Sequence, residues 1–413
     1  MLNKLILPIA AMIALSCNRG NETIVSSSYI DSLLSHYTPS AAMKANEMDI
    51  AFWEKRMDSM PDNYVNGLKY ASALAARFRL YGNIHDLKKA DSLVKESNTA
   101  NQEKEDGILF TLANFAMLQH QFKAAGEYAT QALKAGDNKY GGNMAVFDAS
   151  FEIGRYDIAS RIIKTTRPNN TYPYYFRRSR YEHLYGSLDT SIAYMMRAAG
   201  EAAGNKYLEQ AAISNAADLN IHKGDLRNAY TLFKKSISID ASDFHSIIGI
   251  GWIALVHDKN DSLAEKIFSF AAKKLQSPDP LLKMIWLAEF RKDKALEEKY
   301  AKEFVKLTTN ADYGAMYNKY LIEIYTSVLN EPGKAIELAK QETESRPTPQ
   351  AYAWYAWALL KNNEAEKAYN LYRQHISGKP LEGLELYYMG KLMKSLNKGY
   401  NAKEFFKAAI KNQ

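Results

Sequence analysis

Apolar residues recur three and four positions apart along most of this 413-residue chain, in paired segments separated by short polar turns. This spacing places apolar side chains on one face of a helix, whereas a half-buried strand would alternate every second residue. The clearest pair of segments follows Pro349, and a second pair with the same order of large and small residues continues to Gln413. The pattern predicts an all-α chain built from repeated helical hairpins.

Small residues lie at fixed places in each hairpin, with a period of about 34 residues that is typical of arrays of two-helix units. In the unit that begins at Asp106, for example, Ala113 lies in the first helix, and Ala125, Ala129 and Ala132 lie in the second. About ten units can be counted in residues 63–413. Nine begin near Tyr64, Asp106, Tyr140, Tyr172, Gln210, Phe244, Asp279, Tyr313 and Pro349, and the last carries Leu386, Met389 and Gly390. We therefore predict an α-α superhelix of about ten hairpins, preceded by two helices in residues 29–62.

The units resemble those of tetratricopeptide-repeat (TPR) proteins, and more narrowly those of a Bacteroidetes-like bacterial TPR lipoprotein family of unassigned function. The resemblance is carried by Gly-Arg-Tyr-Asp-Ile-Ala at 154–159, Lys-Gly-Asp-Leu at 223–226, and Pro-Gln-Ala-Tyr-Ala-Trp-Tyr-Ala-Trp-Ala-Leu at 349–359. It implies a TPR solenoid whose first helices line a concave groove, and a role in binding a protein or peptide partner. It implies no reaction and no cofactor.

The N-terminus predicts a lipoprotein signal peptide over residues 1–16. A lysine at position 4 precedes the apolar run Leu5–Leu15, which is shorter than the roughly 20 residues of a membrane-spanning helix. Cys17 is the only cysteine, and the residues before it resemble a lipobox, although Leu15 lies two positions before the cysteine instead of three. The resemblance implies cleavage before Cys17 and acylation of its thiol, and several acyl chains anchor a protein stably. An uncleaved anchor or a buried free thiol is the alternative.

The polar residues that follow Cys17 bear on the tether and on the location. Residues 17–28 are small and polar, which predicts a flexible tether. Asn18 at the next position favours the outer membrane, and the lack of an acidic cluster after the cysteine favours its periplasmic face, with the cell surface left open.

The charge pattern does not indicate a nucleic-acid partner. The chain carries 53 Lys and Arg against 46 Asp and Glu, and these are scattered along the whole sequence. The densest basic cluster comprises Arg177, Arg178 and Arg180, beside several tyrosines. A nucleic-acid-binding domain concentrates its cations on one face, so we expect these arginines to lay their stems over neighbouring rings.

No catalytic or metal-binding motif occurs. None of the eight histidines is spaced for zinc as in His-Glu-x-x-His, and there is no Gly-x-Ser-x-Gly or phosphate-binding loop. His120 and His222 fall near turns within hairpins, where a solvated or capping histidine is expected. We predict no metal, no cofactor and no enzymatic activity.

The candidate partner-binding residues lie at helix positions that face the concave side in this kind of repeat. Two tryptophans occupy the ninth position of their units, two further aromatic residues occupy the sixth, and two lysines near the C-terminal end could meet an acidic peptide terminus. These six residues are Trp252, Trp357, Trp354, Tyr388, Lys361 and Lys391. Buried aromatic residues often dominate binding energy, but the same rings could simply pack between neighbouring helices, and the lysines could simply be solvated.

These features together predict a membrane-anchored TPR scaffold that holds a protein or peptide partner in its groove. The alternative is an envelope lipoprotein that binds a glycan or another nutrient, with the groove tryptophans as stacking platforms.

Overall fold

The structure is a computed structural model that describes residues 22–61, 63–102, 104–166, 171–202, 204–309, 312–396 and 402–411. Every regular element within these ranges is helical, and no strand occurs in them. The predicted signal peptide over residues 1–16 and the predicted lipidation site, Cys17, lie outside the described residues.

The helices are numbered in chain order, and a short π-helical turn, Tyr372–Ile376, continues α20. Their bounds are α1 Ser27–Ser35, α2 Ala41–Ser59, α3 Tyr64–Tyr81, α4 Ile84–Ala100, α5 Asp106–Leu118, α6 Phe122–Ala135, α7 Lys139–Glu152, α8 Tyr156–Thr165, α9 Tyr172–Leu184, α10 Leu188–Gly200, α11 Lys206–Lys223, α12 Leu226–Ile239, α13 Phe244–Val256, α14 Asp261–Ala272, α15 Asp279–Phe290, α16 Lys294–Thr308, α17 Asn318–Ser327, α18 Pro332–Ser345, α19 Pro349–Lys361, α20 Ala365–Leu371, α21 Gly383–Leu396 and α22 Ala402–Lys411.

Helices α3 to α22 form ten consecutive hairpins in the described ranges. The two helices of each hairpin pack on one another, and at most junctions the second helix of a hairpin also packs on the first helix of the next. The prediction of an all-α superhelix of TPR-like hairpins is confirmed.

Local sequence explains where the helices begin and end. Asp225 and Asp243 are N-caps whose side chains accept hydrogen bonds from backbone N–H groups in the first turn of α12 and α13. Gly224 ends α11 with a φ of +79°, a left-handed conformation that glycine adopts without strain. Within α13, a Cβ at Gly251 would lie 2.6 Å from the ring of Phe268, so this position requires glycine for close helix packing.

The superhelix turns back on itself, so that hairpins about five apart along the chain meet. The backbone N–H of Gln276, after the sixth hairpin, donates to the carbonyl oxygen of Tyr81 in the first, over 2.7 Å. Gly154, in the turn of the third hairpin, lies against Pro347 at the start of the ninth. The first helices therefore surround an interior cavity that is partly open to solvent.

The residues before α1 are bound to the middle of the array. The N–H groups of Ile24 and Val25 donate to the carboxylate of Asp258 over 2.9 and 2.8 Å, and the N–H of Ser26 donates to the hydroxyl of Tyr230. The interpretation of residues 17–28 as a free tether is therefore wrong for residues 24–26. Composition could not reveal this, because the carboxylate that holds them lies more than 230 residues away.

No helix in the described ranges combines the length and the apolar character needed to cross a membrane.

Candidate functional site

The candidate site is a cavity inside the superhelix, bounded by the first helices of the third to the tenth hairpins. The cavity has a free volume of about 150 Å³. The lining residues are Phe151, Glu152, Tyr156, Arg180, His183, Leu184, Asn215, Asp218, Leu219, Ile221, His222, His245, Ile248, Gly249, Trp252, Lys283, Lys319, Arg346, Thr348, Gln350, Trp354, Glu382 and Glu385. The interior is therefore rich in both charge and aromatic surface.

A buried ionic network closes one side of this cavity. Arg346 follows α18, and its guanidinium contacts Glu342 at 3.0 Å and Glu152, at the end of α7, at 3.4 Å. Glu152 also accepts a hydrogen bond of 2.5 Å from Arg180 on α9. The Arg346 guanidinium lies 5.1 Å from the ring centre of Trp354 and 5.4 Å from that of Phe122. Ion pairing and cation–π contacts thus join two parts of the chain 194 residues apart.

The network determines the charge state of its neighbours. Burial by itself would raise the pKa of the Glu152 carboxyl, but the charges of Arg180 and Arg346 outweigh burial and lower this pKa. Burial, followed by the charge of Arg346, lowers the pKa of His120 to about 4. Glu152 and Arg180 also line an adjoining cavity of about 280 Å³ that is bounded by α5, α7 and α9. The Glu152–Arg180 pair therefore lies at the boundary of two interior spaces.

A carboxyl-rich corner lies at the C-terminal end of the main cavity. The indole N–H of Trp354 donates to Glu385 Oε1 over 2.7 Å, and Glu385 is fully buried. Burial, and then the charge of Glu385, raises the pKa of Glu382 to about 8. On α17, burial and the charges of Glu289 and Glu385 raise the pKa of Glu323 to about 8 against the opposing effect of Lys319. Carboxyl groups in this corner are therefore poorly compensated.

Histidines and Trp252 line the opposite wall. The ring nitrogens His183 Nε2 and His222 Nδ1 are 3.1 Å apart, and His245 contacts Asp218 over 2.7 Å. Burial lowers the pKa of His183 to about 3, so its ring is neutral near pH 7. Across the described ranges, no group of three or more histidine, cysteine or carboxylate side chains is placed to hold a metal ion.

Several buried polar atoms on the cavity wall have no hydrogen-bond partner within the described part of the chain. They are Trp252 Nε1, Arg346 Nε, Gln350 Oε1, Glu382 Oε2 and Glu385 Oε2. A buried polar group without a partner costs roughly 1–3 kcal/mol, and most such groups in proteins are satisfied by the protein, by water or by a ligand. The cavity wall is thus equipped to bind something polar.

The structure separates the six candidate residues into three sets. Trp252 and Trp354 line the cavity. Trp357 and Tyr388 stack on one another with ring centres 4.3 Å apart, and the Trp357 indole donates to Thr326 over 3.0 Å, so both rings lie between helices.

The two lysines lie elsewhere. The ammonium of Lys361 lies over the outer side of the same stack, 5.5 Å from the Trp357 ring, and that of Lys391 lies 5.2 Å from the ring of Tyr387. Neither lysine lines the cavity.

The basic cluster adopts the arrangement expected from its composition. Arg178 lies over the rings of Tyr181 and Tyr194, and Arg177 and Arg180 pair with Asp148 on α7. His222, in contrast, is not a solvated turn residue, because it faces the interior and contacts His183. Its partner is 39 residues away, and no local spacing could indicate it.

The sequence reasoning missed Glu382, Glu385, Arg346 and Lys319. Each looks like an ordinary charged residue on a polar helix face. The available signal was positional, because Glu382 and Glu385 are one turn apart at the start of a first helix, where side chains face inward.

The similarity of this chain to known proteins is limited to solved structures. No family model matches the sequence, and no curated protein matches it significantly. Solved structures with a similar fold include the human IFIT1 dimer with PPP-AAAA, at 12% identity and a TM-score of 0.49 over 76% of this chain and 72% of that chain.

Two further similar structures are yeast Tom70, at 14% identity and a TM-score of 0.37 over 94% of this chain and 92% of that chain, and the APC/C hetero-tetramer Cut9-Hcn1, at 13% identity and a TM-score of 0.49 over 93% and 69%. Likenesses of this strength concern only the helical-repeat fold, and they say nothing about the ligand of this chain.

Replacing Arg346 with methionine tests the network. The change keeps most of the apolar contact with Trp354 and Phe122 but leaves Glu342 and Glu152 with less compensation. Removing one member of a buried ion pair typically costs about 3–5 kcal/mol, so we expect a loss of this size in the free energy of unfolding, measured by urea denaturation at pH 7.

The matched control is Arg373→Met on an exposed arginine, which should change stability by no more than about 0.5 kcal/mol. The Glu152 carboxyl has a lowered pKa in the folded state, so its contribution is present above its unfolded pKa of about 4.3 and is lost as the pH falls below that value. The difference between wild type and Arg346→Met should shrink below about pH 4. An equal loss in both variants at pH 7 would contradict this role.

Proposed function

We propose that this protein is a membrane-anchored TPR scaffold of the cell envelope that binds a segment of a partner protein inside its superhelix. The observation that carries the proposal is the interior cavity with five buried polar atoms that lack a hydrogen-bond partner among the described residues. Trp252 and Trp354 add the kind of aromatic surface that dominates the energy of many interfaces.

The size of the cavity indicates what part of a partner enters it. An α-helix with its side chains is about 10–12 Å wide, which is more than a free volume of about 150 Å³ can admit. One or two side chains, or a chain end, fit this space. The mode of binding we propose is therefore insertion of an extended segment and not the docking of a whole helix.

Binding is favoured over catalysis by the composition of the wall. The described residues that line the cavity include no serine or cysteine, and the hydroxyl of Thr348, the one aliphatic hydroxyl among them, accepts a hydrogen bond from the backbone N–H of Ala351 as the N-cap of α19. The carboxylates and histidines therefore have no serine or cysteine nucleophile to activate. We propose that the protein is not an enzyme.

The membrane anchor in this proposal is acylated Cys17. Ile24, whose backbone is held by Asp258, is the seventh residue after Cys17. Seven extended residues span at most about 25 Å, so an acylated Cys17 would keep the array close to the bilayer, with the side that carries Asp258 nearest to it. We propose an outer-membrane lipoprotein on the periplasmic face.

A second candidate function is glycan or nutrient binding. It is favoured by Trp252, whose ring lines the cavity with no cation over it and whose indole N–H has no partner in the protein. Trp354 favours it less, since Lys319 and Arg346 already lie over its ring at 5.6 and 5.1 Å.

Photo-crosslinking from inside the cavity tests the scaffold. With p-benzoylphenylalanine in place of Trp252, irradiation of intact cells should join the protein to one segment of another envelope protein, identified by mass spectrometry. The matched control has the same group in place of Trp53 on α2, far from the cavity, and should not give this product. The product should also be lost when Trp354 is replaced by alanine.

Two outcomes would contradict the scaffold. The first is a peptide product that forms equally well from position 53. The second is a saccharide product from position 252 with no peptide product, which would support the glycan alternative.

Replacing Cys17 with alanine tests the anchor. If the thiol carries the acyl chains, the Cys17→Ala protein should move from the membrane fraction to the soluble fraction, while a Thr23→Ala control stays with the membrane. Fractionation after a high-salt wash gives the measurement. A Cys17→Ala protein that remains in the membrane fraction would contradict lipid anchoring at this residue.

A further inference from the structure

The strongest unexplained chemistry in the molecule is the excess of unpartnered acceptors in the carboxyl-rich corner. Gln350 Oε1, Glu382 Oε2 and Glu385 Oε2 are buried atoms without a hydrogen-bond partner in the protein. Glu385 is fully buried, and the Gln350 amide directs its Nε2 to the carbonyl oxygen of Pro380, which leaves its oxygen free.

The three acceptors belong to one place in the fold. Gln350 and Trp354 are one turn apart on the same face of α19, and Glu382 and Glu385 are one turn apart at the start of α21. The hydrogen bond from the Trp354 indole to Glu385 joins these two faces. The three residues all line the same cavity.

The cations of the described residues neutralise this corner only in part. Lys319 and Arg346 lower the pKa of Glu382 against the larger effect of burial, and both lie over the ring of Trp354, at 5.6 and 5.1 Å. Arg346 pairs with Glu342 and Glu152 instead. Among the described residues, no lysine or arginine forms an ion pair with Glu382 or Glu385. The raised pKa of Glu382, about 8, is consistent with a partly compensated site.

We propose that this corner is a subsite for a primary ammonium group, formed by Glu385, Glu382 and Gln350. An ammonium presents three N–H donors, which equals the number of acceptor atoms without a partner among the described residues. Two carboxyl groups would supply charge-assisted hydrogen bonds.

The ammonium can come from a lysine side chain or from the N-terminus of a chain. This inference rests on the proposed function and deepens it, because it names the chemical group of the partner that enters the cavity. A lysine side chain or a chain end is also within the size that the cavity admits.

The test is calorimetric titration of the purified full-length protein in detergent with four small probes. The first is an N-acetylated tripeptide amide with lysine between two glycines, and the second is triglycine amide with a free N-terminus. The third is the same lysine peptide with its side-chain amine acetylated. The fourth is the same peptide with arginine in place of lysine.

We expect one of the two ammonium probes to bind at least tenfold more tightly than the acetylated-lysine and arginine peptides. The lysine peptide and triglycine amide distinguish the two sources of the ammonium. No binding by either ammonium probe, or equal binding of the acetylated peptide, would overturn the inference. Tighter binding of the arginine peptide would overturn the ammonium assignment in favour of a guanidinium group.

Isosteric variants locate the binding. Glu385→Gln keeps an acceptor for the Trp354 indole and removes the charge, so it should weaken the ammonium probe at least tenfold. The control is Glu337→Gln, which removes an exposed carboxylate on the outer helix α18 and should have no effect. Unchanged affinity in Glu385→Gln, with helical content and melting temperature as in wild type, would contradict the site. Should Glu385→Gln unfold, Glu382→Gln carries the same prediction.

The dependence on pH gives a signature that a merely structural carboxyl would not show. Glu382 directly precedes α21, and the charged groups facing it are Glu385 in the first turn of α21, Lys319 from α17, Arg346 from the segment before α19, and Glu152 from α7. Because the pKa of Glu382 is about 8, its carboxyl holds a proton at pH 6 that a bound ammonium must displace.

Affinity for the lysine peptide should therefore rise between pH 6 and pH 8, by about tenfold per pH unit at most, and level off above pH 8. Affinity for triglycine amide should rise less and fall above pH 8, because its own α-amino group has a pKa of about 8. Proton release on binding, measured at pH 7 in two buffers of different ionisation enthalpy, should accompany it. A flat profile would contradict a role for Glu382.

Failure of this inference can be told apart from failure of the scaffold. A peptide cross-link from position 252 without binding of any ammonium probe would overturn the subsite and leave the scaffold in place. Binding of the ammonium probes without a peptide cross-link would overturn the scaffold and leave the subsite.

Discussion

The contact between Arg346 and Glu152 is the constraint on which the shape of this molecule depends. It joins the third hairpin to the junction between the eighth and the ninth, across 194 residues of chain. A buried ion pair is a poor source of net stability, but it is costly to break once formed. The rings of Phe122 and Trp354 beside the guanidinium add packing to the charge. The network therefore favours one closed arrangement of the array over open ones.

Closure changes what the first helices of the hairpins do. In an open solenoid their inward faces form a solvated groove, and charged side chains there need no partner. Here the same faces enclose a cavity, so Glu382, Glu385 and Trp252 retain buried polar atoms that the protein does not satisfy. Burial, together with the nearby charge of Glu385, raises the pKa of Glu323 and Glu382 to about 8, because neighbouring cations offset it only in part. The chemistry of the site is thus a consequence of the superhelical turn.

Local patterns predicted the hairpins because a hairpin is a local structure. The three- and four-residue spacing, the small residues and the caps lie within one unit, and the ten predicted hairpins of the array are present.

The inward faces were harder to predict. His245 and Gly249 on α13 occupy the same positions in their hairpin as Gln350 and Trp354 on α19 occupy in theirs, and these four residues line the cavity. The ninth position differs: Trp252 lines the cavity, whereas Trp357 turns away to stack on Tyr388. Contacts such as Arg346 with Glu152, or Asp258 with Ile24, span too much chain for any periodicity to indicate them.

The central claim is that closure of the superhelix creates a binding site in its interior. The most direct measurement is an experimental structure of the protein purified from its native membranes without removal of its partner. We expect density for an extended segment that enters the cavity between Trp252 and Glu385, with Arg346 still paired with Glu152. A structure in which the partner lies on the outer helices, and the interior holds only water, would contradict it.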